Sequence, residues 1–192
     1  MQRAEKWAGA FLAVALLAAP AMAQDKEKKA EPMAQKAAAK GVKAEIIGQI
    51  TAAQEKLQSL AEAMPADKYG WRPGAGVRSV GEVFLHVAGG NYFLGTFLGI
   101  APPAGLDLRN LEKDGGDKAK AIDGMKKSFD HILGALAAIP DSDLDKPVKM
   151  FGRDSTYREA MFVIATHAHE HLGQSIAYAR TNGVVPPWSA KE

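Results

Sequence analysis

Cysteine is absent from the 192 residues. That removes disulfides, thiolate metal sites and cysteine nucleophiles together, so any metal must be held by histidine, carboxylate or backbone oxygen. Net charge is nearly absent too: 24 Lys and Arg stand against 22 Asp and Glu, a formal +2. The basic residues form no stripe, and the sparse aromatics do not alternate with them. Nucleic acid is therefore not an expected partner. Long hydrophobic runs are missing as well. The most apolar stretch, AGAFLAVALLAA from Ala8, falls short of the roughly 20 residues that a spanning helix needs.

That stretch has a different reading. Arg3 and Lys6 precede it, Pro20 follows it, and Ala21-Met22-Ala23 places small residues before a cleavage point. This is the pattern of a secretory signal peptide over residues 1–23. The expectation is export, to a bacterial periplasm, with no membrane association after cleavage. No cysteine stands at the junction for lipid attachment. Residues 24–40, QDKEKKAEPMAQKAAAK, read as a flexible spacer. The remaining 41–189 is of ordinary size for one domain with a real core.

Within that domain the apolar residues recur at helical spacing. Ile46, Ile50, Ala53, Leu57, Leu60 and Met64 mark a first helix, ended by Pro65. Ser79 and Glu82 form a capping box that opens a second helix through VFLHVAGGNYFLGTFLG. A long Pro- and Gly-bearing loop, Ile100 to Asp117, has the length of a lid or binding loop. A third helix spans about Lys118 to Ile139. The connection after Pro140 contains at most a short extended piece at VKMF. Thr156 and Glu159 form a second capping box and open a fourth helix, which stops at Asn182-Gly183. Four amphipathic helices and no convincing strand predict an all-α four-helix bundle.

Three of the five histidines fall in THAHEHLGQ, Thr166 to Gln174. At about 100° per residue, His167 and His171 stack on one face, with Ala160, Ile164, Ser175 and Tyr178. That face points inward, and His169 points to solvent. Imidazoles four apart on a helix can converge on one ion. His86 lies on the second helix, on a stripe with Val83, Gly90, Phe93 and Phe97 that also reads as inward. Three histidines from two helices form a metal set with open coordination positions, the arrangement of a catalytic rather than a closed structural site. Imidazole suits Zn²⁺ or Ni²⁺. His131, alone on the third helix among apolar neighbours, reads as a core histidine.

Two carboxylates are candidates for acid–base work. Glu170 completes an H-x-x-E-H pattern with His167 and His171, the inverted zinc-protease signature. The further carboxylate ligand of such enzymes has no counterpart, since the sole acid downstream is Glu192. Glu82 lies one turn before His86, where it serves either the ligand or the cap. Gln174 is placed to hydrogen-bond His171, and Gly89-Gly90 either leave room for a substrate or allow close helix packing.

YGWRPGAGVRSVGEVFLHVAGGNYFL, FGRDSTYREAMFVIATHAHEHLGQSIAYAR and NGVVPPW together resemble the DinB-like family of metal-dependent enzymes, across nearly the whole region from Val42 to Trp188. The resemblance implies a four-helix bundle with a divalent metal on three histidines, here His86, His167 and His171, the residues chosen independently by helical spacing. It also implies homodimers through bundle faces, although no apolar patch in the sequence is assignable to one. The family often carries a basic residue after the last histidine, where this chain has Leu172. Characterised relatives include thiol S-transferases, hydrolases and isomerases. The expectation is an exported metal-dependent enzyme of hydrolase or thiol S-transferase type acting on a small molecule. The alternative is a non-catalytic periplasmic carrier of a metal or small ligand.

Overall fold

The computed structural model of the chain describes residues 40–189; the expected signal segment and all but the last residue of the expected spacer lie outside the described residues. Four helices dominate: α1 (Val42–Ala63), α2 (Val80–Gly95), α3 (Lys118–Ala138) and α4 (Tyr157–Thr181). The all-α bundle expected from the apolar spacing is the observed architecture. α1 and α2 each pack on α3 and α4, so α2 and α4 are neighbours. That adjacency determines where the histidines of these two helices can meet.

The predicted apolar stripes are the core. Ile46, Ile50, Ala53, Leu57, Leu60 and Met64 of α1 and its end are buried against Met125, Phe129, Ile132 and Leu136 of α3. α1 stops because Met64 turns extended before Pro65, a residue that disfavours helix in its predecessor. Lys118 Nζ then donates to the carbonyls of Glu62 and Met64 at 2.7 Å each, satisfying groups that a helix end leaves open.

The two caps differ. At α2 the box is complete: Ser79 Oγ accepts from the Glu82 amide, and the Glu82 carboxylate accepts from the Ser79 amide at 2.6 Å. At α4 only half of it forms. Thr156 Oγ1 accepts from the Glu159 amide at 3.2 Å, but the Glu159 carboxylate takes Ser155 Oγ and Arg153 instead. A guanidinium within reach outcompetes a backbone amide for that carboxylate.

The connection before α4 also differs from expectation. It is a two-stranded antiparallel hairpin, β1 (Pro147–Met150) with β2 (Arg153–Thr156). Its turn is Phe151-Gly152, with φ of 51° and 80°. Both residues are left-handed, as a mirror-image two-residue turn requires. Glycine adopts this freely, whereas a phenylalanine there costs about 1 kcal/mol of backbone strain. Hydrophobic alternation is weak over these short strands, so the hairpin leaves little trace in the sequence.

The long loop after α2 is more ordered than its composition suggests. Leu111–Gly116 forms a 3-10 turn packed on α2. The contact is backbone on backbone: a Cβ at Gly81 would lie 1.8 Å from the Gly115 carbonyl oxygen. Two glycines thus let this segment dock on the first turn of α2. Among the described residues, no helix is long and apolar enough to cross a membrane.

Candidate metal centre

α2 presents His86 and α4 presents His167 and His171 to the same point between the helices. One ligand nitrogen from each ring lies within 4.8 Å of the others. The rings meet edge to face, His86–His171 at 4.7 Å and His167–His171 at 4.6 Å between centroids. His169 is exposed, its ring reaching the Gln49 carbonyl at 3.1 Å. His131 sits elsewhere, against Tyr92 at 5.4 Å.

Each of two imidazoles is oriented by a hydrogen bond on its Nδ1. His86 Nδ1 donates to Glu112 Oε1 at 2.9 Å. The Glu112 carboxylate can only accept, because Arg78 Nε donates to its other oxygen at 2.8 Å. His171 Nδ1 donates to Gln174 Oε1 at 2.7 Å. The amide orientation follows from the next link, where Gln174 Nε2 donates to Tyr178 Oη and that hydroxyl donates to the Arg78 carbonyl. Both rings therefore carry their proton on Nδ1 and turn the Nε2 lone pair inward. This is the arrangement in which partners behind a histidine set its tautomer for a metal.

His86 Nε2 and His167 Nε2 are 3.4 Å apart. Two nitrogens bound at about 2.0–2.1 Å to one tetrahedral ion would stand roughly 3.3 Å from each other. The donor set and its spacing fit a divalent ion with no protein rearrangement between these two rings. The third ring is held by shape. His167 Nδ1 is buried with no hydrogen-bond partner among the described residues, and a Cβ at Gly90 would lie 2.2 Å from its Cε1. Gly90 is thus the space into which His167 fits, and with Gly89 it also lines the opening beside the rings. Leu172, next to His171, is buried in the core at 5% exposure.

The electrostatics favour the neutral form of His86 and His167. Burial pushes the His167 imidazole down to about 4, and the neighbouring His171 and His86 charges push the same way. Burial also lowers His86, opposed by its bond to Glu112. Burial raises the Glu112 carboxyl, but hydrogen bonds and charges from Arg78 and His86 outweigh that and hold it below its ordinary value. Neutral imidazole is the ligand form, and the lowered His86 and His167 both favour it.

A pH dependence follows. An unfolded chain binds a proton at His167 near 6.5, and the folded chain only near 4. The unfolded state therefore holds more protons between these values, and stability falls as pH drops through that window. For metal-free protein this contributes up to about 3 kcal/mol between pH 7 and pH 4. Denaturant titrations of chelator-treated protein at pH 7 and 4.5 should show it, with a shallower loss in His167→Gln.

The two candidate carboxylates lie outside the triad. Glu82 is taken up by the capping box and by Arg72, whose Nη2 donates to it at 3.0 Å. Hydrogen bonds from the Ser79 backbone, with the Arg72 contact, lower its carboxyl. Glu170 is exposed on the outer face of α4. The carboxylate that does touch a histidine is Glu112, which no sequence pattern singles out because it belongs to the irregular segment after α2. Its only cue is Gly115, which together with Gly81 lets this segment approach. Glu112→Ala should weaken metal affinity roughly 10- to 100-fold, as loss of such a partner typically does. Competition against a chromophoric chelator measures it.

A cavity of about 450 Å³ opens on the cluster, walled by Phe93, Leu94, Leu108 and Phe151 and reached by Arg78 and Arg109. Phe93, expected inward, is 49% exposed because its side of α2 faces this opening and not another helix. The Ile100–Asp117 loop supplies one wall, through Leu108, Arg109 and Glu112.

The model of the DinB superfamily matches residues 49–175. Among solved structures, a DinB-like protein from Bacillus cereus ATCC 10987 superposes with a TM-score of 0.62 at 18% identity, covering 74% of this chain and 93% of that one. A DinB-like protein from Bacillus subtilis gives 0.56 at 21% identity, covering 73% and 93%. At these identities the likeness is one of fold. No curated protein matches.

Proposed function

The chain belongs to the DinB superfamily, and from that premise we propose that it is an exported, divalent-metal-dependent enzyme with His86, His167 and His171 as ligands. The observation that carries the reading is the pair of Nδ1 hydrogen bonds, to Glu112 and Gln174, that turn two imidazoles toward a shared point. Zn²⁺ or Ni²⁺ is the expected ion, since both suit nitrogen donors. A bound ion would supply Lewis-acid polarisation of a coordinated substrate group. His86, His167 and His171 would hold it, while Glu112 and Gln174 keep two of the rings in the ligating tautomer.

Three protein ligands leave room for a small molecule, and the adjoining cavity gives it a place. The reaction class proposed is hydrolysis of an ester or amide, or transfer to a thiol. Glu82 and Glu170 are engaged in capping or facing solvent, so Glu112 is the acidic group nearest the substrate space. Export rests on the sequence of residues 1–23 alone.

The test is turnover by the metal-loaded protein on an ester and amide panel and on thiol-plus-electrophile pairs, beside His171→Ala. Turnover that disappears in the variant and returns with added metal in the native protein supports the enzyme. Metal binding without turnover on either panel supports the carrier on the same scaffold. Secretion of a full-length fusion, lost when residues 1–23 are deleted, tests the export.

A further inference from the structure

The cavity beside the histidines has two kinds of wall, and neither is explained by holding a metal. One is aromatic. Phe151, at the hairpin tip, lies 5.1 Å from Phe97 and 6.3 Å from Phe93, ring centre to ring centre. Phe93 and Phe97 are themselves 5.4 Å apart. Phe151 remains 62% exposed and Phe93 49% exposed, so these contacts bury only part of the rings. Phe151 also occupies a left-handed backbone position, φ 51°, where Asn, Asp or Gly fits without strain. A mostly exposed aromatic in a strained turn gains little from packing alone. Strain of this kind is retained where a side chain must be presented.

The other wall is cationic. Arg78 is committed to Glu112 at 2.8 Å. Arg109 lines the same cavity, and among the described residues its guanidinium has no carboxylate partner. Arg109 therefore offers a guanidinium fork, suited to a carboxylate or similar oxyanion, beside an apolar face.

We propose that the cavity selects amphiphilic organic anions: a planar apolar body lies on Phe93 and Phe151, and its acidic group pairs with Arg109. The substrate class of the proposed enzyme is then an aryl or arylalkyl acid derivative, with its reacting group toward the histidines. This rests on the proposed function for the words substrate and reacting group. The binding preference itself depends only on the two walls.

Isothermal titration on the full chain tests it, with 4-phenylbutyrate, 4-phenylbutanamide and butyrate as probes, on metal-loaded and metal-free protein. Phenylbutyrate should bind about tenfold tighter than either control, the scale of one charge-assisted contact or one aromatic face. Arg109→Gln should erase the preference over the amide. Phe151→Asn should erase the preference over butyrate while the melting temperature holds or rises, because Asn suits the turn. Metal content, measured on the same samples, should not change in either variant.

An anion preference that survives Arg109→Gln but vanishes without metal would place the acid on the ion and overturn the proposal. So would a Phe151→Asn protein that melts lower and binds phenylbutyrate as before, since Phe151 would then be a packing residue. If the native protein binds no metal yet shows the preference with both dependences, this proposal stands and the metal-dependent enzyme falls.

Discussion

Replacing His167 and His171 together by alanine is expected to abolish metal binding, with affinity falling more than about a thousandfold. Outer partners of such ligands are each worth about 10- to 100-fold; direct donors are worth more, and two of three are removed. The remaining His86 would face the gap with its Nε2 and no second nitrogen within reach, where His167 now stands at 3.4 Å. α4 should persist, because Ala160, Met161, Ile164, Ala168 and Leu172 carry its packing and neither histidine caps it. Circular dichroism should therefore remain helical while a chelator competition shows no binding. Full affinity in the double variant would exclude these rings as ligands.

The second large effect is expected far from any histidine. Gly81→Ala would drive a Cβ to 1.8 Å from the Gly115 carbonyl oxygen and 2.7 Å from its carbon. Neither partner is a flexible side-chain end, so backbone must move. Overpacking of this kind costs about 3 kcal/mol. The segment pushed away carries Glu112, so the hydrogen bond to His86 should break as well. The variant should show both a lower denaturation midpoint and weaker metal affinity. Gly89→Ala is the contrast. Its added Cβ would meet only Leu111 Cδ2, at 3.9 Å, and an alanine inside a helix gains roughly 0.5–1 kcal/mol over glycine. Gly89→Ala should therefore match or exceed the native midpoint. Equal midpoints for Gly81→Ala and the native protein would mean that the loop segment does not rest on α2.

Features set by one helix's own period are legible in the amino-acid sequence, and features set by a distant partner are not. Ile46 through Met64 on α1 and Ile164 through Tyr178 on α4 repeat at helical spacing, and a period needs no knowledge of neighbours. The same period puts His167 and His171 on one face and His169 on the other, as the structure has them. The link between His171 and Gln174 is legible for the same reason, being three residues along one helix. Phe93 misleads because period alone shows which residues share a face, not whether another helix covers it. Glu112 is hidden because a long-range backbone contact between Gly81 and Gly115 brings it to His86, and such contacts leave no periodic trace. The Phe151-Gly152 turn is hidden because only its second residue matches the preference of its type.

The most direct measurement is the metal content of untagged native protein, purified without chelators and assayed by mass spectrometry, then titrated with Zn²⁺ and Ni²⁺. Three converging imidazoles, two of them oriented from behind by Glu112 and Gln174, predict about one divalent ion per chain, either as purified or after titration. Protein that carries no metal and takes up neither ion would contradict the account and leave His86, His167 and His171 as buried polar groups of the bundle.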